Sequence, residues 1–197
     1  MLLEDRILAV GRGIERLAAR LPALGYQFAD TRAVAPGPEP DTDAAIEHIE
    51  REAGALPLSI KLFWRRVGSV NFIGQHPDWD GCEYPDPLLV YPPSRALDEL
   101  DAFLSDREER LRFNFPYCIP VAPDPYQKEN VSGGMWYNLS VPAVADDPPL
   151  NDERHGTTFV GYLELALRWG GFPGLDRCRN HSWPIADLPG TITRALG

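Results

Sequence analysis

The densest group of reactive side chains in this 197-residue chain is His76-Pro77-Asp78-Trp79-Asp80-Gly81-Cys82-Glu83. It holds an imidazole, a thiol and the carboxylates of Asp78, Asp80 and Glu83. Oxygen donors at alternating positions could hold a hard cation, and a histidine with a cysteine could suit zinc. The cation-loop pattern stops after its first part, however, and no second ligand pair has metal spacing. The expectation is a solvated acidic loop with no bound metal. The competing reading is a metal-dependent hydrolase built on His76, Asp78, Asp80 and Glu83. Trp79, a large aromatic in an acidic, proline-punctuated loop, is either tucked beneath it or offered to a partner as a binding anchor. A second acidic group, Asp146, Asp147, Asp152 and Glu153, lies in the long polar stretch from Pro142 to Gly156. Loops of that length usually carry function or are mobile.

Other chemistry is thin. Cys178 and His181 stand three residues apart, but half a zinc site needs another half, and a Cys–His nucleophile needs further partners. The chain has no GxxxxGK[ST], no GxGxxG after a strand, no GxSxG and no HExxH. The sequence therefore predicts no catalytic residues and no cofactor. The acidic residues Asp78, Asp80, Glu83, Asp146, Asp147, Asp152 and Glu153, with Trp79, are the expected contacts for a partner.

The charge balance says what such a partner would be. A formal net charge of −10 opposes binding to nucleic-acid phosphates, which needs a basic face. It suits a basic protein drawn in by complementary charge. Cys82, Cys118 and Cys178 are odd in number and scattered, which reads as a reduced, cytoplasmic protein rather than a disulfide scaffold. The opening MLLEDRILAV is not a secretory signal. No stretch approaches the roughly 20 apolar residues of a membrane span.

The elements that must position these loops centre on Gly54–Gly74. Pro57 suits a first helical turn. Ile60, Phe63, Trp64 and Val67 then fall on one helical face, Gly68 is a left-handed terminator, and a strand follows through Val70 and Phe72. Before this unit, Ile7, Val10, Ile14, Leu17 and Leu21 predict an amphipathic helix from Leu3, weakened by Gly11 and Gly13. Asp41 or Thr42 caps a second helix with Ile46, Ile49 and Ala53 on its buried edge. After it, Leu88–Tyr91 reads as a strand. Ser94 caps a helix whose face is Leu97, Leu100, Leu104 and Leu111. Tyr117–Val121 is a strand that Pro120 confines to an edge or bulge. Ser132-Gly133-Gly134 forms a hairpin apex and Met135–Val141 the partner strand. A last helix starts near Thr157 with Phe159, Val160, Leu163 and Leu167 inward. Trp64, Trp136 and Trp169 are expected in the core, and Trp183 and Ile185 in the tail should pack back on the body. Helices flank strands without regular alternation, so the class is α+β in a single domain.

Residues Ile46–Ala53, then Gly54-Ala55-Leu56-Pro57, then Ile60–Val67 with Gly68, resemble the opening of the SUKH superfamily: an acidic helix, Leu-Pro, an aromatic-bearing helix, then Asn-Gly. Asp86-Pro87-Leu88 and the Phe159–Leu163 segment also look like the family. Val67-Gly68-Ser69 departs from it where Asn-Gly is usual, which marks a divergent branch. The resemblance covers about residues 42–174 of the single domain at 1–197. It implies a mixed or antiparallel sheet wrapped by helices. It also implies a non-catalytic protein-binding module, as in bacterial immunity proteins that neutralise toxins, commonly basic nucleases. The fungal branch of the superfamily suggests a regulatory or structural adaptor as the alternative.

Overall fold

The computed structural model describes residues 2–77, 84–112 and 116–177. The Asp78–Glu83 segment, Cys178, His181 and the tail with Trp183 and Ile185 lie outside them. Helix α1 (Leu3–Arg20) buries Ile7, Val10, Ile14 and Leu17, the stripe its periodicity predicts. Gly13 has a packing reason to be glycine: a β-carbon there would stand 2.6 Å from Leu167 Cδ1. Arg6 crosses the same interface and grips Glu164 with two bonds of 2.8 and 2.9 Å.

A short 3-10 turn (Pro22–Leu24) and strand β1 (Gln27–Phe28) lead to the proline-rich loop and to helix α2 (Thr42–Ala53). Helix α3 (Leu58–Arg66) follows and buries Ile60, Phe63 and Trp64. Trp64 Nε1 donates to the Tyr91 carbonyl at 2.9 Å, so the one polar atom of this core indole is satisfied. Gly68 has φ +88, and a β-carbon there would lie 2.0 Å from the Gly37 carbonyl oxygen. Its role is therefore double: it ends the helix and lets the proline loop pass against the backbone.

The strands are short. Strand β3 (Gly74–Gln75) pairs antiparallel with β1, and β2 (Val70–Asn71) with β4 (Leu89–Val90). Strand β5 (Cys118–Pro123) pairs antiparallel with β6 (Trp136–Ser140). The register shifts between Pro120 and Ala122, the bulge that Pro120 predicts. Tyr91 N donates to Val121 O at 2.8 Å and links the second pair to the third. Among the described residues the strands thus form three two-stranded antiparallel sheets rather than one wide sheet, and the fold is α+β. Along β6 the alternation holds: Tyr137 and Leu139 are buried, while Trp136 and Asn138 are half-exposed.

Helix α4 (Pro93–Ser105) corrects the sequence reading twice. Its start is Pro92-Pro93, and Ser94 sits inside the first turn, where its hydroxyl meets Glu39 Oε1 at 2.8 Å. The expected continuation to Leu111 is broken at Asp106, after which a separate α5 (Arg107–Arg112) begins. The buried face is Ala96, Leu100 and Phe103, with Leu97 and Leu104 at its margins. Helix α6 (Pro125–Lys128) occupies the turn between β5 and β6. Helix α7 (Phe159–Arg168) is capped by Thr158, whose Oγ1 accepts from Gly161 N at 3.1 Å. Phe159 meets Phe63 edge to face at 5.6 Å, joining α7 to α3. No helix among the described residues is long and apolar enough to cross a membrane.

Candidate functional site

The segment Pro142–Gly156 has almost no regular structure, yet it is fastened along its length. Ala143 N donates to Ala55 O at 2.7 Å and Ser59 N to Asp146 O at 2.8 Å. Asp147 Oδ1 accepts from Val160 N at 3.1 Å, in the first turn of α7. Asn151 exchanges backbone bonds with Asn138 on β6, and Leu150 N reaches Thr157 O at 2.9 Å. The four acidic residues of this segment therefore separate. Asp146 uses only its backbone and leaves its carboxylate exposed. Asp152 is exposed and accepts from Asn138 Nδ2 at 2.9 Å. Asp147 is half-buried and spent on α7. Glu153 is buried: Oε2 accepts from His155 N at 2.8 Å and Oε1 lies 2.5 Å from His155 Nδ1. Its carboxylate is used inside the fold and is not the open contact the sequence suggests.

His76 is similarly engaged. Its ring is buried and Nε2 donates to the Leu24 carbonyl at 2.8 Å. It is the one member of the His76, Asp78, Asp80 and Glu83 set within the described residues, and one of its two ring nitrogens is already committed. Among the described residues no group of three or more His, Cys, Asp and Glu side chains converges as for a metal ion.

Beside the loop, where α6, β6 and α7 meet, the fold buries an ion pair. Asp124 starts it: Oδ1 accepts from Gln127 N at 2.9 Å and Oδ2 from Met135 N at 2.8 Å, so one carboxylate caps α6 and fastens the turn to β6. That places Lys128 inward, where Nζ pairs with Asp86 Oδ1 and both side chains are wholly removed from solvent. Tyr137 OH donates to Asp86 Oδ2 at 3.2 Å, and Tyr162 OH lies 3.4 Å from Lys128 Nζ. Burial, reinforced by the Asp86 charge, pushes both phenols well above their ordinary range. Every charge in this cluster has a partner, and none is open to a substrate. Its chemistry is that of a buried ion pair that, with the two phenols, holds four distant segments together.

Over this cluster lies a cavity of about 260 Å³ lined by Tyr84, Asp124, Pro125, Tyr126, Tyr137, Asp152 and Arg154. The Tyr84 and Tyr126 rings meet at 4.7 Å, and Arg154 Nη2 donates to Pro173 O at 2.7 Å. Among the described residues, three of the four non-glycine residues with positive φ border it or its floor: Tyr84 at +61, Asp86 at +55 and Asp152 at +62. Such conformations cost of order 1–3 kcal/mol each and gather where a fold must hold a shape.

Asp86, Lys128, Tyr137, Tyr162 and Arg154 carry this region, and periodicity alone does not single them out. One signal was present in composition. The chain has only two lysines, Lys61 and Lys128, among 19 basic residues. Both are in ion pairs, Lys61 with Glu50 at 2.8 Å and Lys128 with Asp86. Comparison of the chain with protein-family models, with curated proteins and with solved structures finds no match.

Proposed function

We propose that this protein is a non-catalytic module that binds a basic protein partner. The observation that carries the reading is the fastened acidic loop. Val144 is 92 % exposed and stands two residues from the exposed Asp146 carboxylate, on a segment tied at Ala143, Asp146, Asp147, Leu150 and Asn151. A loop already ordered before binding loses little conformational freedom on binding. An apolar contact beside a charge suits a partner of opposite sign. The net charge of −10 adds long-range attraction. The resemblance to SUKH proteins makes the finer reading an immunity protein that neutralises a toxin in the cytoplasm. A SUKH-like regulatory adaptor would use the same face.

The test is retention from a lysate of the source cells on the immobilised full chain. Wild type is expected to hold a basic protein at low salt and release it as salt rises. A Val144→Ala/Asp146→Lys variant, which leaves the backbone tether at Asp146 in place, is expected not to hold it. Identical retention by wild type and variant overturns the assignment of this face. For the immunity reading, the retained protein expressed without this chain should arrest growth, and co-expression should restore it. Harmless expression of that protein would leave the adaptor.

A further inference from the structure

We infer that the cavity between α6 and the acidic loop receives the charged end of one arginine or lysine side chain from the partner. The inference rests on the binding-module reading and adds what the partner inserts. Size comes first. About 260 Å³ is below the range of roughly 300–1,000 Å³ that holds drug-sized ligands and cofactors. It suits a single long side chain.

Charge decides its sign. Around the cavity and its floor stand four carboxylates, Asp86, Asp124, Asp152 and Glu153, against two permanent cations, Lys128 and Arg154. Counting His155 as a third cation still leaves one carboxylate in excess. Lys128 is consumed by Asp86, and Arg154 is engaged by the Pro173 carbonyl. Asp152 is the exposed carboxylate of the set, held by a single bond from Asn138. The walls are the second determinant. Tyr84, Tyr126 and Tyr137 supply aromatic surface, and Tyr126, its ring against Tyr84, is still 47 % exposed. Ring faces attract cations, more strongly once water is displaced. A guanidinium or ammonium group that enters thus meets a carboxylate and ring faces together, while its aliphatic stem covers Pro125 and the ring edges.

The experiment is an amide-shift titration of the full chain with N-acetyl-arginine amide. Its neutral isostere N-acetyl-citrulline amide and the anionic N-acetyl-glutamate amide are run alongside. The arginine probe should shift Tyr84, Tyr126 and Asp152 saturably, in the millimolar range, while the other two do not. Asp152→Asn keeps an oxygen for Asn138 and a residue type that tolerates positive φ. Tyr126→Leu keeps apolar bulk and removes the ring. Each should weaken the probe about threefold to tenfold, the equivalent of one cation–ring or charged contact. Equal response to citrulline, saturation by glutamate through Arg154, or no saturable shift overturns the proposal. If the arginine probe fails while a basic protein is still retained by the acidic face, the cavity assignment falls and the binding module stands. If the probe binds but no protein is retained, the partner side chain is the wrong occupant and the binding module falls with it.

Discussion

At the junction of α1, α3 and α7 the side chains that close the interior are Ile14, Phe63, Phe159 and Leu167, all buried and all apolar. One turn around the same α7, the side chain that points to α6 is Tyr162, and its company is Lys128, Asp86 and Tyr137. The two faces of one helix are thus held by different physics. Apolar packing is non-directional and tolerates exchange at constant volume. A buried ion pair is directional and is favourable only while each charge keeps its partner. The first joins elements by area. The second fixes where a particular loop, the one before β4, must sit.

The comparison is broken most sharply at Lys128. Lys128→Met keeps the length and removes the charge, leaving Asp86 buried beside Tyr137. The expected loss is about 3–5 kcal/mol, read by denaturant unfolding. Asp86→Asn/Lys128→Met, which removes both charges and keeps a residue suited to positive φ at position 86, should recover most of it. A double variant no better than the single would mean that the pair contributes packing and not charge balance.

Raising the pH comes next. Burial holds Tyr26, Tyr117, Tyr137 and Tyr162 above the ordinary phenol value of 10.0 in the folded chain. Their neutral forms are the folded forms, so this stability is complete below about pH 10 and is lost as pH climbs beyond it. Phenolate absorbance should therefore rise in a cooperative step together with loss of helix signal. Gradual, independent titration of all seven tyrosines without unfolding would show that the buried hydroxyls are reached by water. The smallest effect belongs to the apolar face: Leu163→Met should cost less than about 1.5 kcal/mol. A larger cost there would erase the distinction between the two faces.

This contrast also explains what could be read from the chain. Helices α1, α2, α3 and α7 were legible because Ile7, Val10, Ile14 and Leu17, or Phe159, Val160, Leu163 and Leu167, repeat at helical spacing. The β5 bulge was legible because proline cannot donate to a ladder. Ser94 misled because capping propensity is local, whereas Pro92-Pro93 and the distant Glu39 set the true helix start. The Leu104–Leu111 spacing suggested one helix through a break that falls at Asp106. The buried cluster was illegible for a different reason. Asp86, Lys128, Tyr137 and Tyr162 are single residues from four segments, and nothing periodic connects them. Of the acidic loop, the sequence marked the carboxylates but not the division among them, since only the fold turns Glu153 inward and leaves Asp146 outward.

Glu39 has a wider reach than its place in the proline loop suggests. Its carboxylate takes the Ser94 backbone N–H at 3.1 Å and hydroxyl at 2.8 Å, while its own carbonyl accepts the Thr42 hydroxyl at 2.8 Å. One residue therefore clasps the beginnings of both α2 and α4, helices that also lie against each other. The pair is latched at a common point, so fraying at one start should release the other, and the two would open to solvent hydrogen in concert.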